Sequence, residues 1–112
     1  MTRGYRPVVA INEAQQEAKG RGCLVTAVST GSMLPFDFVI YDRGRIRLVR
    51  IRRLRYAEYE IADIAFTCRE EIAALRAMPV SPDISRELHV RGPERYWHHY
   101  RVLQDRIEEV RE

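Results

Sequence analysis

Lysine is nearly missing from this 112-residue chain: 18 of its 19 basic residues are arginine. Cysteine is scarce too. Cys23 and Cys68 lie far apart, with no CxxC and no Cys/His spacing, which excludes a disulfide framework and a zinc knuckle and predicts two buried free thiols. No apolar run approaches the roughly 18 residues of a membrane span, and "MTRGYRPVVAINEA" lacks an apolar h-region and small-residue cleavage site, so a cytoplasmic protein is expected. There is no GxSxG, P-loop or GxGxxG, no repeat and no low-complexity tract. With 46% hydrophobic residues the chain can build one modest core, and residues 1–112 read as a single domain.

What is present is concentrated. Arg43, Arg45, Arg47, Arg50, Arg52, Arg53 and Arg55 fall between positions 43 and 55 with no acid among them, while the rest of the chain holds 12 basic and 16 acidic residues. The excess positive charge therefore belongs to one segment. Guanidinium forks bind phosphate oxygens bidentately and release condensed counterions, so this segment reads as a nucleic-acid patch, with Arg43, Arg45, Arg47, Arg50, Arg52 and Arg53 as its contacts. The plainer alternative is an arginine-rich, solvated strand face.

Periodicity supplies the elements. Ile11, Ala14 and Ala18 recur at helical spacing between polar residues over 10–19, and "GRG" at 20–22 ends the pattern. "CLVTAVS" (23–29) reads as a strand and "TGSMLP" as a loop. "FDFVIYD" and "RIRLVRIRRL" form a hairpin through Arg43 and Gly44. Ile61, Ile64, Ala65, Cys68, Ile72 and Leu75 predict one long helix over 57–78, stopped by Pro79. "RELHVR" and "YWHHYRVL" flank "GPE" as a C-terminal hairpin, and "DRIEEVRE" is a charged tail of helical pattern.

Two further groups invite a site. A pairing of Arg91 with Tyr96 would set His89 across from His98 near Glu87, although two such ligands fall short of a metal set and ordinary sheet-face residues are the better account. "RYWHHYR" interleaves aromatic and basic residues as single-strand binders do, but Trp97 and Val90 are expected to pack on the second helix.

The order helix, three strands, helix, strand, with "PFDFVIYD" running through a hairpin into "LVRIRR", resembles the PD-(D/E)xK nuclease superfamily, in particular its archaeal Holliday-junction-resolvase and small endonuclease-like branches. The resemblance implies an α/β restriction-endonuclease-like core: a helix–strand–strand–strand–helix–strand mixed sheet flanked by helices, here followed by the C-terminal hairpin. It sets Asp37 as the motif aspartate, Arg50 where a second Glu or Gln would stand, Arg52 where the lysine would stand, and Glu13 as the helical acid, with Glu17 next. In an active relative two carboxylates hold Mg²⁺ and the lysine assists water. Here a fixed guanidinium replaces one carboxylate, so Asp37, Glu13 and Arg52 are expected to be vestiges of a catalytic set, with no metal and no cofactor. Strand alternation should bring Asp37 against Arg50 and Arg52, with Arg50 in hydrogen-bond range of the carboxylate. The expected function is nucleic-acid binding, DNA first, without catalysis. One alternative is an active Mg²⁺-dependent endonuclease using Asp37 and a displaced carboxylate such as Asp42, Glu58 or Glu60. The other is a structural or protein-interaction subunit, with a homodimer as partner.

Overall fold

The computed structural model describes residues 7–28, 33–56, 60–93 and 96–110. Helix α1 (Val8–Gly20) is followed by strands β1 (Leu24–Ala27), β2 (Phe38–Asp42) and β3 (Arg45–Arg53), helices α2 (Ile61–Thr67) and α3 (Arg69–Arg76), and strands β4 (Ile84–Arg91), β5 (Trp97–Val102) and β6 (Ile107–Val110). The strands form one six-stranded sheet in sequence order, antiparallel except where β3 runs parallel to β4. That parallel pair needs a crossover, which α2 and α3 provide.

Each end of the first half has a local cause. In α1, Ala10, Ala14 and Ala18 are buried at intervals of four, and their small side chains let the helix lie close against Phe38, Ile40, Val49 and Ile51. Its end is a Schellman turn: Cys23 N–H reaches Ala18 O at 3.1 Å, Gly22 N–H reaches Lys19 O at 2.9 Å, and Gly22 takes φ 89°. The β2–β3 hairpin closes through Arg43 (φ 54°) and Gly44 (φ 82°), the left-handed pair of a type I′ turn.

Two cores sandwich the sheet. One lies under α1. The other joins Leu48, Leu54, Leu88, Val90, Tyr100 and Val102 to Ile64, Cys68, Ile72 and Leu75 of the helix pair. Alternation along β3 therefore sends Val49 and Ile51 toward α1 and Leu48 and Leu54 toward α2 and α3.

Four expectations are corrected. The long second helix is two, broken at Cys68 (φ −101°, ψ 22°), whose fully buried thiol keeps the apolar stripe continuous across the break. The tail is not helical: Ile107–Val110 adds β6 to the sheet edge. β4 and β5 pair one residue away from the expected register, so His89 opposes His99 and Arg91 opposes Trp97. A one-residue shift exchanges faces, and Trp97 accordingly packs in the α1 core, while Val90 packs beneath the helix pair as expected. Of the two thiols, Cys68 is buried and Cys23 only partly so.

Candidate functional site

Asp37 immediately precedes β2 and ends its ladder with β3. Its N–H donates to Val49 O at 2.7 Å, and its carboxylate Oδ2 accepts the Ile51 N–H at 2.7 Å. Continuing the Phe38–Val49 register by one residue sets Asp37 opposite Arg50, on the side facing α2 and α3. The carboxylate is 1% exposed, and Arg50 Nε stands 3.8 Å from Oδ2. This is an ion pair but, at that separation, not the hydrogen bond expected from the sequence. Arg50 Nε–H is buried and meets no acceptor among the described residues.

Two positions on, Arg52 shares that face. Its Nη1 donates to Glu71 Oε2 at 2.9 Å and approaches Thr67 O at 3.5 Å. Glu71 was not singled out from the sequence. Its signal is positional: an acid three residues after Cys68 and four before Leu75 sits at the margin of the apolar stripe of α3, and the side chain is only 16% exposed. Glu71 Oε1 is buried and has no hydrogen-bond partner among the described residues. Asp37, Arg50, Arg52 and Glu71 thus form a row of two anions and two cations along one side of the sheet.

The other predicted residues lie elsewhere. Glu13 is on α1, across the sheet, with Oε1 3.0 Å from Arg91 Nε of β4. Arg47 also faces the α1 side and spends Nε and Nη2 on both oxygens of Glu87, each at 2.9 Å. The arginine segment is therefore divided, not one patch. Arg47 is committed to a buried acid, Arg50 and Arg52 face α2 and α3, and Arg43 sits exposed in the turn beside Asp42 at 4.0 Å. Arg45, Arg53 and Arg55 are exposed, and no described acid pairs with them.

A polar row continues from Arg47 across β4 to β5. Glu87 accepts from Arg47 and bonds His89 Nε2 at 2.8 Å, and the His89 ring stacks on His99 with centroids 3.8 Å apart. Burial alone would raise the Glu87 pKa, but the hydrogen bonds of His89 and Arg47 outweigh it and hold the carboxyl well below its ordinary value. Burial, with the neighbouring His89 adding to it, holds the His99 imidazole down to about 3. The row is a satisfied buried network, and His98 stands apart from it, bonded to Glu109 at 3.0 Å.

The donor set beside Asp37 does not suit Mg²⁺. That ion needs several oxygens in near-octahedral geometry, and here the neighbouring strand offers a guanidinium. Among the described residues no group of three or more His, Cys, Asp or Glu side chains could hold a metal ion. Of the displaced carboxylates, Asp42 lies at the far end of β2, 3.9 Å from Arg47, and Glu60 is exposed ahead of α2. Glu58 falls outside the described residues.

No family model matches this chain, and no curated protein does. Among solved structures it is similar to Hjc of Archaeoglobus fulgidus, a Holliday junction resolvase from an archaeal hyperthermophile. The TM-score is 0.61 at 14% identity, over 94% of this chain and 88% of that one. Likeness at that identity speaks for the fold: the chain has the α/β, restriction-endonuclease-like architecture that its hairpin motif implied.

Proposed function

We propose that this protein binds nucleic acid, DNA first, through the arginine-bearing strand of a nuclease-like fold whose metal centre has been lost. The observation that carries the reading is Arg50: its guanidinium stands beside Asp37 at the second-carboxylate position of the resemblance, a fixed cation where a metal ligand would be. A phosphate oxygen is an acceptor of the right charge, and Arg50 and Arg52 keep 21% and 33% of their side-chain surface open to solvent. Arg53 and Arg55, exposed at the end of β3, extend the positive surface. In this reading residues 1–112 act as one cytoplasmic domain, and Asp37 is kept for the Ile51 amide and the Arg50 charge, not for metal. One observation favours a second reading, an endonuclease with a displaced acid: Glu71 brings a carboxylate oxygen without a partner to the face that Arg52 occupies.

The test is a salt-dependent titration against duplex and four-way-junction DNA. Each neutralised phosphate adds about −0.9 to the log–log slope on duplex DNA, so Arg50→Ala and Arg52→Ala should each make it shallower by about one unit. A binding constant indifferent to salt, or slopes that neither substitution changes, would instead favour a protein-interaction subunit.

A further inference from the structure

Glu71 of α3 meets Arg52 on the face where nucleic acid would, and the contact is half made. Arg52 Nη1 donates to Glu71 Oε2 at 2.9 Å, whereas Glu71 Oε1 is buried and has no hydrogen-bond partner among the described residues. A guanidinium fork can give a carboxylate two parallel N–H groups, so a single-point pair leaves capacity unused on both partners. The other contact of Nη1, to Thr67 O, is long at 3.5 Å. Two residues earlier on the same face, about 7 Å along β3, Arg50 Nε–H meets no acceptor among the described residues. The face thus holds an acceptor without a donor and a donor without an acceptor, and the two are not bonded to each other.

Both partners can be reached from solvent. Arg52 keeps 33% of its side chain open and Glu71 16%, so the pair lies at the margin of the helix layer, not beneath it. A part-exposed pair of this kind is weak, because solvent screens it and two long side chains must be ordered to make it. A backbone phosphate carries the same unit charge as the carboxylate and offers oxygens to both arms of the fork, so it can replace Glu71 on Arg52 with a gain in hydrogen bonds. Swung outward, the Glu71 carboxylate exchanges an unsatisfied buried oxygen for a hydrated one, which lowers the cost of leaving.

We propose that Glu71 is an intramolecular competitor of nucleic acid: it neutralises Arg52 in the free protein and must be displaced before a backbone phosphate takes that arginine. This competition rests on the nucleic-acid reading above and adds a contact, built into the fold, that holds affinity down. Its mark is a sign. Loss of Glu71 should strengthen binding, whereas loss of a structural or metal-ligating acid would weaken it.

The test is the affinity of the full chain for duplex DNA in EDTA, across a range of salt, for the parent, Glu71→Gln, Arg52→Ala, the two combined, and Asp63→Asn. Asp63 is exposed on α2, and its substitution removes one unit of charge away from the Arg52 contact. Glu71→Gln should bind about fivefold more tightly than the parent. Asp63→Asn should gain less than about twofold, and so should Glu71→Gln when added to Arg52→Ala. A second measurement needs no variant: the Glu71 Cδ resonance of ¹³C-labelled parent should move on DNA binding toward that of a solvated carboxylate. If binding is indifferent to salt and to Arg52→Ala, the nucleic-acid reading fails and takes the inference with it. If Arg52→Ala weakens binding but Glu71→Gln leaves it unchanged or weakens it, the reading stands and the inference is overturned. It is overturned too if Asp63→Asn gains as much as Glu71→Gln, if the gain survives in the Arg52→Ala background, or if the Glu71 resonance stays in place when DNA binds.

Discussion

Replacing Asp37 by alanine separates a structural carboxylate from a catalytic one. Asp37→Ala would strand the Ile51 N–H, now bonded at 2.7 Å, and leave Arg50 without the anion 3.8 Å away. An orphaned buried amide costs about 1–3 kcal/mol, and breaking a buried ion pair by removing one partner costs about 3–5 kcal/mol. The Arg50 side chain is 21% exposed, so water recovers part of the second term and the sum should fall near 3 kcal/mol. Asp37→Asn keeps an acceptor for Ile51 and loses only the charge, at about 1–2 kcal/mol. Coulomb's law at 3.8 Å and an effective dielectric near 20 gives about 4 kcal/mol, an upper figure, so a double-mutant cycle of Asp37→Asn with Arg50→Met should return a coupling of about 1–2 kcal/mol. Urea unfolding of the four proteins measures all of this. Catalytic acids are commonly held at a cost to stability. An Asp37→Ala protein as stable as the parent, or more so, would refute the argument.

Three other substitutions probe the opposite side of the sheet. His99 is buried neutral with its pKa held down to about 3, so the folded state binds fewer protons than the unfolded chain below pH 6.5. Stability is complete above that pH and falls toward pH 3, by about 2 kcal/mol between pH 7 and 5. Glu87, also depressed, loses its contribution only below its ordinary 4.5, outside the pH 5–7 window. His99→Asn should flatten the urea midpoint across that window, and an unchanged slope would contradict the assignment. Arg47→Ala should cost about 3–5 kcal/mol by leaving Glu87 buried, whereas Arg45→Ala should stay within about 0.5 kcal/mol; equal effects would mean Arg47 is not committed to Glu87.

Local chemistry made the first half of the fold legible. The alanines of α1, the glycine that ends it and the Arg43–Gly44 turn each act within a few residues, and the hairpin register follows from the turn. The face shared by Asp37, Arg50 and Arg52 was readable for the same reason. The break at Cys68 was not, because the apolar stripe runs through it without glycine or proline. β6 was missed because Ile107 and Val110 are three apart, a spacing that fits a helix, and only pairing with β5 makes the segment a strand. The partners of the arginines were hidden by distance along the chain: Glu71 lies 19 residues beyond Arg52, and Glu87 lies 40 beyond Arg47. Of the seven arginines that read as surplus charge, Arg47 and Arg52 are paired with acids that follow the strand, Arg43 and Arg50 stand near the preceding Asp42 and Asp37, and Arg45, Arg53 and Arg55 have no described acid beside them.

Calorimetric titration with Mn²⁺ of the parent, of Asp37→Asn and of Arg50→Glu combined with Arg52→Lys tests the central claim most directly. In the double variant two carboxylates would face each other where an ion pair now stands, and their repulsion, like that of any such pair, is relieved by a divalent cation. The parent should bind no Mn²⁺ through Asp37, and the double variant, folded to the same circular-dichroism spectrum, should acquire a site, with metal binding returning before any plasmid nicking. A parent that binds Mn²⁺ and loses it on Asp37→Asn would contradict the account and restore the metal-dependent endonuclease.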